Sequence, residues 1–346
     1  MAMRSLEPAP RTAWPVQVAR GALVAAAGLA TWLPVQPAWA GQVWGVNPTD
    51  PIAPILAQAR PGDTVLIEGM HGESVRVPAG ITLEGGPGAG IEYPTEPVVQ
   101  VRGRGVHLRG LVIMTTASTG SVGAIDVPVG TATFIGCSVR GGAIGVSVEG
   151  RARATLAACM LTGQSGFGVE LSGQSQTLVA NCRVRPSAVQ RARHDGPEIG
   201  IEATRNAAAT LESDDILGTL GAAVQFAGKA RGAVIGSHLH DGLDGISLWG
   251  MAAPELTHNT IVGNLGDGIS YHDRSAGRAE GNRCEHDRSG IVVADAASPV
   301  LVDNVCQADR DLAISDWRDP ASASLPVPTP AFSAAPGSFS GGARGH

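Results

Sequence analysis

An aliphatic residue returns almost every 23 positions through most of this chain, and that period constrains the fold more than any other feature. The column is Val146, Val169, Ile201, Val224, Ile246, Ile269, Ile291 and Ile314, with intervals of 23, 32, 23, 22, 23, 22 and 23. A second column runs about thirteen residues ahead: Thr133, Leu156, Leu211, Ala233, Leu256 and Leu301. Around both, apolar and polar residues alternate over a few positions, as in Gly245-Ile246-Ser247-Leu248. Asn259, Asn282 and Asn304 recur at 23 and 22 just after one strand. Half of such a repeat cannot bury its apolar face, whereas stacked repeats share a continuous core. The expectation is an all-β fold, a right-handed single-stranded parallel β-helix with 22–23-residue coils. Leucine-rich repeats have a similar period but need a denser Leu framework. A globular α/β chain needs helical patterns of roughly 10–15 residues between strands, and the intervening segments here are short and Gly-rich. Forty-seven Gly against five Phe and two Tyr suits many tight turns around small aliphatic side chains.

The period also sets boundaries. Arg4, Arg11 and Arg20 precede an apolar run from Gly21 to Leu33, and Ala38-Trp39-Ala40 has the small-x-small pattern of a cleavage site. Residues 1–40 therefore read as a secretory signal cut before Gly41. Thirteen apolar residues rise only about 20 Å as a helix, short of a hydrocarbon core of roughly 30 Å, so no stable membrane insertion is expected. The destination is the periplasm or the exterior. Residues 41–59 read as a lead-in, with Ile52, Ile55, Leu56 and Ala59 spaced for a short helix that caps the first coil. Residues 60–318 read as the β-helix and 319–346 as a Pro/Ala/Ser/Gly-rich flexible tail. The 32-residue interval marks a loop inserted within roughly 183–200, which carries Arg191 and Arg193. Loss of the signal takes the formal charge from -6 to -8, an acidic balance that argues against a nucleic-acid partner.

Five cysteines follow the coil spacing in two groups, Cys137, Cys159 and Cys182, then Cys284 and Cys306. They read as a ladder of small buried residues or as inter-coil disulfides in an oxidising compartment.

Candidate chemistry gathers in the last four coils. Tyr271-His272-Asp273-Arg274 and Glu285-His286-Asp287-Arg288 each place an imidazole, a carboxylate and a guanidinium within a few residues. His272 or His286 would take a proton while Arg274 or Arg288 stabilises the anion that develops, with Asp273 and Asp287 beside them. Trp249 is expected outside the strand core as a platform for a sugar ring, with His240, Asp241, Arg191 and Arg193 as further binding residues. Asp244 and Asp267 fall one coil apart, as do Asp273 and Asp295; such pairs suit a Ca²⁺ ion, or are the turn residues that every coil needs. His238 and His240 alternate and share a face, but two ligands do not make a metal site.

The chain resembles the pectin-lyase-like β-helix superfamily, with NosD-like, carbohydrate-binding and sugar-hydrolase type repeats. The resemblance rests on Ile55-Leu56-Ala57-Gln58-Ala59-Arg60-Pro61-Gly62-Asp63-Thr64-Val65, on Val77 to Leu83, and on Asn264-Leu265-Gly266-Asp267-Gly268-Ile269-Ser270. It implies the fold over roughly residues 50–318 and a polysaccharide or oligosaccharide partner. Members include pectate and alginate lyases, polygalacturonases, uronate epimerases and accessory proteins of periplasmic copper-enzyme assembly. The paired-Asp and Gly-His-Gly segments of polygalacturonases are absent from this sequence. The Asp-Pro-His-Asp motif of mannuronan epimerases has its nearest counterpart in Tyr271-His272-Asp273-Arg274, without the Pro and the leading Asp. After residue 40 the only Lys is Lys229, so a lyase would use Arg or His as its base. Two readings follow: a protein that binds or processes a uronate-containing glycan, lyase- or epimerase-like, and a non-catalytic scaffold or maturation factor with a periplasmic protein partner.

Overall fold

A computed structural model describes residues 41–117, 119–307 and 309–318; the expected signal and tail lie outside these. The described chain is a right-handed parallel β-solenoid of three sheets. Sheet A has twelve strands, from Val43–Val46 to Val300–Val302. Sheet B has eleven, from Met70–His71 to Val305–Gln307, and sheet C eleven, from Val75–Val77 to Ile314–Arg318. Each coil visits A, B and C in turn, so strands that neighbour in a sheet are one coil apart in sequence.

The aliphatic column is the inward row of sheet C. Val146 pairs with Val169, Val169 with Ile201, and the row continues in register to Ile314. It also extends backward through Ile125, Val99 and Val75. β-branched residues suit this position because a pleated surface holds their stiff side chains against the coils above and below. Glycines open these strands where no side chain fits: a Cβ on Gly245 would stand 2.4 Å from the Gly268 carbonyl oxygen.

Two sequence expectations need correction. In the second column, Phe134 and Val234 face inward, not Thr133 and Ala233: Phe134 pairs with Leu156 and Leu211 with Val234. Coils differ by a residue in their corners, and with a side-chain period of two a one-residue error selects the opposite face. The parallel ladder also begins ahead of residue 60, because Val43–Val46 pairs with Thr64–Ile67. Helix α1, Ala53–Leu56, follows this first strand. It packs against the terminal strand Val75–Val77 of sheet C, burying Ile52 and Leu56. Glu73 Oε1 accepts the Ile52 N–H at 2.7 Å. The 32-residue interval holds helix α2, Ala188–Arg193, whose Ser187 and Gln190 form a reciprocal capping box. The insertion stands at the corner between sheets B and C and leaves the register of the core row intact.

The corner between A and B carries a buried polar ladder of Cys137, Cys159, Cys182, Asp214, Ser237, Asn259, Asn282 and, half-buried, Asn304. From Cys182 onward each accepts the backbone N–H of the residue one coil earlier. Cys159 N–H donates to Cys182 Sγ at 3.3 Å, Cys182 N–H to Asp214 Oδ1 at 2.7 Å, and Asp214 N–H to Ser237 Oγ at 3.2 Å. Ser237, Asn259 and Asn282 donate in turn to the next asparagine at 3.0 Å. The ladder meets backbone groups that the turn takes out of the sheets and would otherwise bury unpaired. All five cysteines are free thiols.

Candidate functional site

The side chains singled out in the last four coils separate into two groups at opposite edges of sheet C. At the B–C corner stand His240, Asp241, Asp244, Asp267, His286, Asp287 and Arg288. At the C–A corner stand Trp249, His272, Asp273, Arg274 and Asp295. Between them run five-residue strands such as Asp244–Leu248, roughly 16 Å long. The two His-Asp-Arg segments therefore do not converge on one sugar ring.

At the C–A corner the Trp249 and His272 rings stack with centroids 4.0 Å apart at 10°. One face of the indole is thus covered by imidazole. Asp273 Oδ2 accepts the Gly250 N–H at 2.8 Å and Asp295 Oδ2 accepts the Asp273 N–H at 2.9 Å. Both aspartates have φ near +55° to +58°, a left-handed corner position that short polar residues tolerate. Their carboxylates bridge successive coils through backbone amides. Tyr271 is fully buried, outside any surface site.

The B–C corner shows the same economy. Asp244 Oδ1 accepts the Asp267 N–H at 2.8 Å, and Asp267 Oδ1 meets the Arg288 guanidinium at 2.8 Å. His286 is exposed while Asp287 is fully buried, because adjacent residues there point opposite ways. Asp287 Oδ1 accepts from Asn264 N–H at 2.8 Å and Asn264 Nδ2 at 2.9 Å, and burial pushes its carboxyl up to about 6. The residues in register with it are Gly242, Asn264 and Asp309, one position away from Asp241 and His286. Arg191 and Arg193 are exposed on α2 in the neighbouring insertion.

Two clusters were not anticipated. The first is a polar stripe along the outer face of sheet C, at the position just after the aliphatic column. Asp126, Ser147, Glu170, Glu202, Gln225, Ser247 and Ser270 follow one another in register. Gln100 Nε2 and Ser147 Oγ donate to the two Asp126 oxygens at 2.8 and 3.1 Å. Glu170 and Glu202 stand directly opposite each other on adjacent coils, and Gln225 Nε2 donates to Glu202 Oε1 at 2.9 Å. Burial, and then the Glu170 charge, push the Glu202 carboxyl up to about 6. Burial and the Glu149 charge raise Glu170 as well. The insertion that carries α2 leads directly into the strand Ile199–Ala203 that holds Glu202. The signal was present in the sequence, one residue after the column, but the insertion separates the two glutamates by 32 positions.

The second cluster lies on the outer face of sheet B. Asp215, His238 and His240 bring ligand atoms within 4.8 Å of one another, the one group of metal-ligating type among the described residues. Asp215 and His238 pair in register across one coil. Two nitrogen donors and one carboxylate could coordinate a metal ion, though not with the all-oxygen shell that Ca²⁺ takes.

The sequence matches the family model described as right handed beta helix region over residues 122–229 and 194–310, together more than half of the chain. The chain belongs to this family. Among curated proteins none matches the sequence. Solved structures similar to this right-handed β-helix include a mutant of the periplasmic alginate epimerase AlgG, with TM-score 0.58 and 12% identity over 81% of this chain and 73% of that one. PfbA, a surface adhesin of Streptococcus pneumoniae, aligns with TM-score 0.53 and 12% identity over 75% of this chain and 87% of its own. Pectate lyase Pel9A aligns with TM-score 0.51 and 10% identity over 78% and 79% of the two chains. At such identity the likeness is one of fold, and three named activities share it, so function has to be argued from side chains. No helix among the described residues is long and apolar enough to cross a membrane.

Proposed function

We propose that this right-handed β-helix binds a polysaccharide along the outer face of sheet C and hydrolyses it with the Glu170–Glu202 pair. The observation that carries this reading is the pairing of the two glutamates on adjacent coils, with Glu202 raised to about 6. Adjacent strands lie about 4.8 Å apart, close to the carboxyl separation of about 5–5.5 Å at which one carboxyl acts as acid and the other as nucleophile on a glycosidic bond. Ionised Glu170 attacks the anomeric carbon while Glu202 protonates the leaving oxygen; a water molecule deprotonated by Glu202 then displaces the sugar from Glu170, restoring both groups. Within the row Glu170, Glu202 and Gln225 are half-buried and offer a glycan donors and acceptors on three successive coils, whereas Asp126, Ser147, Ser247 and Ser270 are buried and shape the floor beneath.

The uronate lyase or epimerase alternative would use His272 with Arg274 at one corner or His286 with Arg288 at the other; it has less support because His272 is stacked on Trp249 and Arg288 is tied to Asp267. The carboxylate of a uronate would also face Glu170 and Glu202, so a neutral glycan suits the stripe better. Ca²⁺ enters this reading only as a bridge between that stripe and an acidic glycan. Structural neighbours with carbohydrate names, the pectate lyase and the alginate epimerase, support a glycan partner. An exported location, periplasmic or extracellular, suits a polysaccharide substrate.

The test is incubation with neutral and uronate-containing oligosaccharides, with and without Ca²⁺, following new reducing ends and binding heat. Turnover of a neutral glycan, lost at least about 100-fold in Glu202→Gln and in Glu170→Gln with binding retained, is the expected result. No heat and no cleavage with any glycan would sink the proposal. Binding of uronates alone, only in the presence of Ca²⁺, would replace it with the acidic-glycan reading.

A further inference from the structure

The outer face of sheet B holds a cluster that neither the core nor the glycan stripe uses. In the strand His238–His240 the central Leu239 is buried, so both imidazoles project on the solvent side. Their rings stack with centroids 4.1 Å apart at 21°. Asp215, in register one coil earlier, places Oδ1 3.1 Å from His240 Nε2 and 3.6 Å from His238 Nδ1. Its other oxygen, Oδ2, lies 3.6 Å from Arg183 Nε. On the far side of His240, Nδ1 lies 2.7 Å from Asp241 Oδ2.

We propose that Asp215 Oδ1, His238 Nδ1 and His240 Nε2 form a three-ligand site for a divalent transition-metal ion of the Zn²⁺ type.

Four features of the cluster support it. A tetrahedral ion with bonds of about 2.0–2.1 Å holds its ligand atoms roughly 3.3 Å apart, and two of the three separations here are 3.1 and 3.6 Å. The donor set of two imidazoles and one carboxylate belongs to Zn²⁺ and its transition-metal neighbours. Asp241 supplies the outer carboxylate that metal-bound histidines normally have: its Oδ2 accepts a hydrogen bond from Nδ1–H in the tautomer that leaves the Nε2 lone pair directed at the centre. Arg183 engages only Oδ2 of Asp215, so Oδ1 remains turned toward the two imidazoles.

The competing arrangement is a purely ionic cluster in which His240, protonated, bridges Asp215 and Asp241. It leaves a second imidazole stacked on an imidazolium, whereas a shared dication accepts both lone pairs. Three protein ligands leave a fourth position, and the His238 side chain is 47% exposed. That position is open to water, the pattern of exchangeable rather than closed structural zinc sites.

The experiment is calorimetric titration of the untagged chain with Zn²⁺, followed by Co²⁺ as a spectroscopic probe. One equivalent is expected to bind. His238→Ala and His240→Ala should each weaken binding at least about 100-fold, and Asp241→Asn by about 10–100-fold. The Co²⁺ complex should show d–d bands without a thiolate charge-transfer band, which separates this site from the cysteines. Failure to bind a stoichiometric ion overturns the proposal, as does affinity unchanged by the histidine substitutions or a thiolate band. His238 and Asp241 are exposed and His240 is half-buried, and melting curves identify any variant that loses its fold. In that event Asp215→Asn, which keeps size and shape, must still weaken binding, or the site is not where the geometry puts it.

Discussion

Glu202 faces Glu170 across one coil of sheet C and accepts a hydrogen bond from Gln225 Nε2 at 2.9 Å. Burial raises the Glu202 carboxyl to about 6, and the Glu170 charge adds to the shift. Glu170→Gln removes that charge, so the apparent pKa of Glu202 should fall toward the ordinary carboxylate range. Carboxyl ¹³C NMR titration of the two proteins measures this without a substrate. An unchanged Glu202 titration would show that the pair is not electrostatically coupled. With Glu202 as the general acid, cleavage by the parent protein should decline as pH rises through about 6.

Asp214 sits within the buried ladder, with Oδ1 on the Cys182 N–H and Oδ2 without a partner among the described hydrogen bonds. Burial raises its carboxyl to about 7. The folded state therefore holds a proton that the unfolded chain releases near 3.8, so stability should fall with increasing pH across that window and level off above about 7. At about 1.4 kcal/mol per unit, the loss from this group is on the order of 2–4 kcal/mol. Asp287, Asp309 and Glu202, each raised to about 6, act in the same direction. Asp214→Asn should be less pH-dependent than the parent by this amount in urea unfolding at pH 4.5 and 8. Parallel stability curves for the two proteins would mean that Asp214 is ionised in the fold without penalty.

Asn282 Oδ1 takes the Asn259 N–H at 3.0 Å and Asn259 Nδ2 at 2.9 Å, while its Nδ2 donates to the Leu256 carbonyl at 2.8 Å. Asn282→Ala would strand these groups in a dry corner, at a cost of about 3 kcal/mol. Asn304→Ala, in the half-buried last rung, should cost less. Equal midpoints for the two variants in denaturant would contradict the ladder's role.

The cysteines offer a check on the packing. Cys137, Cys159, Cys182 and Cys284 are buried, and Cys306 is half-buried. The hydrogen bond to Cys159 and burial push the Cys137 and Cys182 thiols up, and Cys306 and burial do the same to Cys284. Burial keeps Cys137, Cys159, Cys182 and Cys284 out of a reagent's reach whatever their ionisation, so a thiol reagent should label at most Cys306 in the native protein and all five after unfolding. Rapid native labelling of three or more would show that the coils open far more readily than the buried rows imply.

The repeat was legible because its cause is local. A β-branched residue every 22 or 23 positions, flanked by Gly and Asn corners, has few ways to bury its apolar side other than stacking coil on coil. The inward row from Val146 to Ile314 and the Asn259–Asn282–Asn304 ladder stand as the spacing implies. The third sheet was less visible, since strands such as His238–His240 contribute a single inward residue.

What the sequence by itself determined is the coil, its core row and the place of its insertion, because period and side-chain shape act over one strand and its neighbours. Only the tertiary structure decided which polar groups meet. Corner lengths vary by a residue, and each such change turns a side chain to the other face; it sends Asp287 inward while His286 stays outside. Sheet C holds the Trp249 and Asp241 corners a full strand apart, although they are eight residues apart in sequence. The same stacking sets Glu202 against Glu170 across a 32-residue interval and Asp215 beneath His238 and His240. These encounters depend on register summed over whole coils, a quantity that no short stretch of sequence contains.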